Sequence, residues 1–257
     1  MTTKIFKTLA LLTALAASAL FTIGAAISAE IKIIAPNAVK EAVVAIGARY
    51  SKDTDTAVSF TWTGSEAIAK RVGEGEVYDV VLTTSAGIDR LAGAGKLDVT
   101  SKANFSRSAI AAAIRSGLPR PDVSTIAGLK QSLLDAKSIA ISSGASGRYL
   151  EQLFQKLGLS EQIKPKIKQP PSGAQIGEML ARSEVDLGFQ QVTELIQAKG
   201  FEYLGTLPTD VQNYTVWSAA VHAQAGNAQA AGAFVKALAA PAAAPELRKT
   251  GLEPVSE

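Results

Sequence analysis

Short apolar runs alternate with stretches of helical periodicity along almost the whole chain after residue 29. Ile31-Lys32-Ile33-Ile34-Ala35 reads as a strand, whereas Val39, Val43, Ile46 and Tyr50 recur at spacings of four, three and four, which lines one face of a helix. Val58, Phe60 and Trp62 alternate as a half-buried strand does. A helix over 66–73, the apolar strand Asp79-Val80-Val81-Leu82 and a helix over 86–94 follow. This β-α-β-α-β-α order predicts a largely parallel sheet with helices on both faces.

The same pattern resumes after Pro119 and Pro121. It predicts a helix over 124–136, the strand Ser138–Ile141, a helix after Ser146 and a strand near 166–168. A helix opened by Pro170-Pro171-Ser172-Gly173, the strand Asp186–Phe189 and a short helix from Thr193 complete this half. Two α/β lobes are expected. Two small-residue-rich runs, 108–114 and 214–221, stand where the chain crosses between them and are read as hinge strands. The expected first lobe comprises 30–112 and 218–257, and the second 113–217. Phe234 and Leu238 keep helical spacing inside the Ala-rich tail, which is therefore read as a helix.

The N-terminus changes the charge balance. Lys4 and Lys7 precede an uncharged, mostly apolar run from Leu9 to Ile23, and small residues surround a cut before Glu30. This is the pattern of a secretory signal peptide over 1–29, so a periplasmic protein is expected. Removing Lys4 and Lys7 from the 26 basic residues leaves an excess of one over the 23 acidic ones, with no basic cluster. A nucleic-acid partner is therefore not expected. The chain has no Cys, which excludes a disulfide, a lipoprotein attachment site, a thiolate metal site and a Cys-His pair. A monomer without cofactor or metal is expected.

Ligands of open α/β sheets bind where strands end and loops enter helices. The loops at those positions are Ala35–Ala38, Thr63–Glu66, Thr83–Ser85, Ser143–Arg148, Pro170–Gly173 and Phe189–Thr193, nearly all built from Ser, Thr, Asn, Gln or Gly. Ser142–Tyr149 runs directly into the amphipathic positions Leu150, Leu153, Phe154 and Leu157, so unpaired N–H groups at that helix start form either an ordinary cap or an anion cradle. Thr63 with Glu66 fits a capping box and Ser65 fits an N-cap. Asn37 fits an Asx-turn after Pro36. Gln190 and Gln191 end an apolar strand, and two buried amides need partners.

Catalytic constellations are weak by comparison. His222 is the only histidine. Ser146 is followed at once by Gly147, which is the wrong register for a G-x-S-x-G nucleophile elbow. Gly73-Glu74-Gly75 is too short for a phosphate loop and has no Lys after it.

The element order, together with Ala67–Val72, Asp79–Leu82, Ser146-Gly147-Arg148-Tyr149, Val185–Phe189 and the closing Thr250-Gly251-Leu252-Glu253-Pro254, resembles the periplasmic molybdate-binding proteins of ABC importers over nearly the whole chain after residue 29. The resemblance implies a type II periplasmic binding fold, with two lobes joined by two crossing strands and a ligand cleft between them. It implies a small anion held by hydroxyls and backbone N–H groups, and an inner-membrane ABC permease as partner. By that comparison Asn37 and Ser65 supply the first-lobe wall, and Ser146, Gly147 and Ser172 or Gly173 the second; Ala38, Gly64, Thr84, Arg148 and Gln191, in the same strand-end loops, are expected beside them. Gln191 stands where many molybdate binders carry Tyr, and an amide suits a carboxylate or a polyol as well as an oxyanion. Arg148 either turns its guanidinium into the cleft, as a fork for a carboxylate, or lies along the outer face of its helix.

The leading functional expectation is a receptor that closes by hinge motion around a molybdate- or tungstate-like oxyanion or a small carboxylate. It assigns no catalytic residue. The alternative from a different class is a periplasmic isomerase of a small polycarboxylate such as aconitate, with Glu66 or Glu194 moving the proton.

Overall fold

The computed structural model describes residues 30–255, so the predicted signal peptide lies outside the described residues. The chain opens with β1 (Glu30–Pro36), a 3-10 turn (Asn37–Val39), α1 (Lys40–Thr54), β2 (Ala57–Thr63), α2 (Ser65–Gly73), β3 (Val80–Thr84), α3 (Ser85–Gly93) and β4 (Ala103–Ser108). It then builds β5 (Ile110–Arg115), α4 (Ile126–Asp135), β6 (Ile139–Ile141), α5 (Ala145–Lys156), α6 (Ser160–Ile163), β7 (Ile167–Lys168), α7 (Ile176–Ala181), β8 (Leu187–Gln191), α8 (Val192–Leu195) and β9 (Phe201–Thr206). The return consists of β10 (Thr215–Val221), α9 (Ala228–Ala239), α10 (Ala244–Lys249) and β11 (Glu253–Pro254). No helix among the described residues is long and apolar enough to cross a membrane.

Two sheets result. The first is ordered β11-β4-β10-β3-β1-β2 and the second β7-β6-β8-β5-β9. The period-two alternation of β1 divides the first lobe into layers. Ile31, Ile33 and Ala35 join the core beneath α1 and α9, with Val43, Ile46, Phe234 and Leu238, whereas Ile34 joins Ile68, Val72, Ile88 and Leu91 beneath α2 and α3. The second lobe repeats the arrangement. Ile110 and Ala112 of β5 pack with Leu133, Leu150, Phe154 and Phe189, and the intervening Ala111 and Ala113 face Ile176, Leu180 and Leu195. Gly47 of α1 is one place where the layers need a missing side chain, since a Cβ there would stand 2.7 Å from the Phe60 ring.

The largely parallel sheet expected from the β-α-β grammar needs correction. Pairings β1–β2, β1–β3, β6–β7 and β6–β8 are parallel, but β10–β3, β10–β4, β11–β4, β5–β8 and β5–β9 are antiparallel. The physical reason is the double crossing: β4 and β9, which lead out of a sheet, run with its βαβ strands toward the lobe junction, whereas β5 and β10, which enter a sheet from that junction, run against them.

The strand read over 108–114 is broken into two. β4 ends at Ser108 in the first sheet and β5 starts at Ile110 in the second, so the first crossing falls at Ala109 and residues 110–112 belong with the second sheet. β10 lies wholly in the first sheet, which places residues 215–217 there and the return crossing within 207–214. The apolar run continues through both sheets because Ser108, Ala109 and Ile110 are all buried, so hydrophobicity does not mark the break.

Candidate functional site

The ends of β1, β2, β6 and β8 face one another across the junction of the lobes and enclose a cavity of about 50 Å3. The first lobe contributes Pro36-Asn37-Ala38, Thr63-Gly64-Ser65 and Trp217; the second contributes Ser142–Ser146, Pro171–Ala174, Gln190, Gln191 and Glu194. With about 10–15 Å3 needed per water-sized position, the space holds roughly four. That is the scale of a compact oxyanion or of one carboxylate group.

Eight of the eleven expected site residues line this cavity: Asn37, Ala38, Gly64, Ser65, Ser146, Ser172, Gly173 and Gln191. Several join the lobes directly. Asn37 Nδ2 donates to the Gly173 carbonyl at 3.0 Å, and Ser172 Oγ accepts from the Ala67 N–H at 3.3 Å. Gly64 packs so closely on the second lobe that a Cβ would stand 2.2 Å from Ser172 Oγ and 2.5 Å from Gly173 N.

The other three are placed elsewhere. Thr84 Oγ1 caps α3 by accepting from Gly87 N at 3.1 Å, and Trp217 pairs opposite Thr84 at the end of β3. The cavity wall at that strand end is therefore Trp217, not Thr84. Gly147 lies beneath the wall, where its N–H donates to Ser142 Oγ at 3.3 Å and a Cβ would stand 1.6 Å from the Ser142 carbonyl oxygen. Arg148 neither enters the cavity nor projects freely from its helix, because its guanidinium pairs with Glu66 of the other lobe. The pair is half-exposed at the mouth of the cleft.

The second-lobe wall is a helix start. The first N–H groups of a helix lack intrahelical partners, and those of Ala145 and Ser146 belong to lining residues. Gly144, the N-cap, supplies no side-chain bond, and the Ser146 and Ser142 hydroxyls bond each other at 2.9 Å. Two further polar atoms of lining residues are buried without a partner, Ser143 Oγ and Trp217 Nε1. An unsatisfied buried donor costs about 1–3 kcal/mol, so a partner supplied to either atom from outside the protein is favourable.

The glutamine pair is engaged within the protein. Gln190 Oε1 accepts from Ile176 N at 3.0 Å and its Nε2 donates to Ala174 O at 3.3 Å, which fixes the 171–176 loop. The amide of Gln191 satisfies both of its ends when Nε2 donates to Ser108 Oγ at 3.0 Å and Oε1 accepts from the Thr215 hydroxyl at 2.8 Å. It thus ties together the residues that flank both crossings, although its side chain lines the cavity. Among the described residues that form the wall, Glu194 is the single ionisable one. Burial pushes its carboxyl up to about 7, against hydrogen bonds from Gln175, the Gln191 backbone and Gln190 that favour the charged form.

Trp217 and Ser143 carried no sequence signal of their own. Trp217 sits in a run read as a hinge strand, and Ser143 is one of several serines in its loop. What singles them out is burial without a partner, which only packing produces.

A family model for bacterial extracellular solute-binding proteins matches residues 31–253. An aconitate isomerase from a Pseudomonas species is 36% identical over 191 residues, covering 74% of this chain and 72% of that protein. Among solved structures, the periplasmic molybdate-binding protein of Azotobacter vinelandii superposes with a TM-score of 0.73 at 19% identity, covering 88% of this chain and 99% of that one. A sulfate-binding protein of Mycobacterium tuberculosis does so with a TM-score of 0.70 at 18% identity, covering 89% and 88%. At these identities the structural matches speak for the fold, which is that of the periplasmic binding proteins. Two lobes around a polar cleft, and a family match that spans nearly every described residue, lead to one conclusion: the chain belongs to the bacterial extracellular solute-binding protein family.

Proposed function

We propose that this protein is a periplasmic receptor that captures a small oxyanion or carboxylate between its lobes and delivers it to an inner-membrane ABC importer. The observation that carries the reading is a cleft walled by neutral donors from both lobes, two of whose lining residues, Ser143 and Trp217, hold a buried polar atom without a protein partner. A ligand oxygen at either atom removes a desolvation penalty that the ligand-free protein bears, so binding and closure are coupled. The crossings at Ala109 and 207–214 serve as the hinge. The Asn37–Gly173, Ser172–Ala67 and Arg148–Glu66 contacts form as the lobes meet. A ligand that binds only the folded state raises the melting temperature. A thermal-shift screen of molybdate, tungstate, sulfate, phosphate and small di- and tricarboxylates tests the reading, and no shift across that set refutes it.

One feature supports a second reading. A carboxyl that titrates near neutral pH is suited to general acid-base work, and Glu194 stands in the wall of a cleft whose 36%-identical relative is named an aconitate isomerase. In that reading Glu194 takes a proton from a methylene carbon of a polycarboxylate and returns one to the far carbon of the shifted double bond, leaving the atom balance unchanged. A six-carbon tricarboxylate needs more room than a single carboxylate group, so in this reading the lobes stand further apart around it. Following the conjugated double bond by ultraviolet absorbance with cis- and trans-aconitate separates the two readings. Turnover lost in Glu194→Gln with binding retained establishes the enzyme, and binding without turnover leaves the receptor.

A further inference from the structure

The charge arrangement around Glu194 has a consequence for ligand capture, and the inference rests on the cleft being the ligand site. Glu194 occupies the third position of α8, where its carboxyl reaches back to the backbone of the N-cap residue Gln191 and accepts from Gln175 and Gln190. β5, β8, α7 and the turn Asn37–Val39 make the main contacts with α8, and Gly251 also approaches Val192 at its start. β8 and the turn contain no ionisable residue. β5 contributes Arg115, paired with Asp186 at 3.1 Å, and α7 contributes Glu178, paired with Arg182 at 3.3 Å. Arg148 is paired with Glu66 at the mouth and does not line the cavity. Among the described residues that line the cavity, none is a cation.

An anion in a space of about 50 Å3 therefore shares it with a carboxyl and with no counter-charge. Two negative groups in one desolvated site do not both remain ionised, and one of them takes a proton. We propose that the cleft takes up one proton with each anion it captures, and that this proton is held between the Glu194 carboxyl and a ligand oxygen. Protonated Glu194 then acts as a hydrogen-bond donor alongside Ser143, Trp217 and the start of α5, and the neutral donor set is completed by an acid group. The ligand-free carboxyl already titrates at about 7, so it is partly loaded at neutral pH.

The test uses trans-aconitate, molybdate and sulfate as probes, all fully ionised from pH 7 upward, with isothermal titration of the purified protein in two buffers of different ionisation enthalpy. The expected result is an uptake of nearly one proton per anion at pH 8, and an affinity that falls about fivefold from pH 7 to 8 and about tenfold from pH 8 to 9. Glu194→Gln, which keeps the shape and a donor, is expected to abolish the uptake and to bind the same probe at least tenfold more tightly than the wild type at pH 9. Binding to the wild-type protein with no buffer-dependent enthalpy overturns the proposal, whatever the variant does. Absence of binding by every probe at every pH overturns the receptor reading and this inference with it, so the two failures are distinguishable.

Discussion

Gly64→Ala separates closure of the lobes from folding. Gly64 precedes α2 with φ −89° and ψ 157°, a backbone conformation open to any residue, so alanine introduces no local strain. Its Cβ would stand 2.2 Å from Ser172 Oγ, a side-chain atom that can rotate away, but also 2.5 Å from the backbone nitrogen of Gly173, which cannot. Restoring ordinary contact requires the lobes to part by about 1 Å at this point. That separation stretches the Asn37–Gly173 bond from 3.0 Å and the Ser172–Ala67 bond from 3.3 Å beyond hydrogen-bonding range. At about 1 kcal/mol net for each bond, the closed state loses about 2 kcal/mol, and ligand affinity falls about thirtyfold. Because the clash lies between lobes, the ligand-free melting temperature stays within about 2 °C of the wild type. Gly147→Ala provides the contrast, since its Cβ meets the Ser142 carbonyl oxygen at 1.6 Å inside one lobe and lowers the melting temperature with or without ligand. Calorimetric titration with the strongest ligand of the thermal-shift screen, and melting curves without it, read the two effects. Wild-type affinity in Gly64→Ala, or a ligand-free melting temperature as low as that of Gly147→Ala, refutes the reasoning.

Three further outcomes are expected. Ser143→Ala removes a buried hydroxyl without a partner, so the ligand-free melting temperature holds or rises while affinity falls about fivefold; a loss of stability with unchanged affinity contradicts the assignment. Arg148→Ala breaks a pair whose side chains are 48% and 36% exposed, so affinity falls by less than about fivefold and the difference vanishes at high salt; a hundredfold loss places Arg148 on the ligand instead. The raised carboxyl of Glu194 means that the native state binds more protons than the unfolded chain between about 4.5 and about 7, so this group's contribution to stability falls as pH rises through that window. The melting temperature of wild type is therefore expected to drop more from pH 5 to pH 8 than that of Glu194→Gln, and parallel curves refute it.

Elements with a strong period were legible in the sequence. The face Val43, Ile46 and Tyr50 is buried in α1, and Phe234 and Leu238 are buried in α9 despite the Ala-rich composition. β9 went unread because Phe201–Thr206 is only half-buried along most of its length and Gly205, at φ +119°, interrupts its pattern. The loops that build the cleft were legible as small polar residues at strand ends. Which of their atoms are free was not, because a hydroxyl's partner is chosen by neighbours distant in sequence. Asn37 bonds a residue 136 positions away, Ala67 bonds one 105 positions away, and Arg148 pairs across 82.

Two α/β lobes with polar loops at their strand ends are legible from periodicity and residue size, since these act over a few neighbours and survive without tertiary context. Long-range packing sets where the chain crosses between sheets, that Gln191 faces the crossings, that Trp217 stands at the strand end expected of Thr84, and that among the described residues a single carboxyl and no cation line the cavity. Those outcomes depend on which groups lose water together. Desolvation is a property of the assembled lobes, and no local pattern in the chain encodes it.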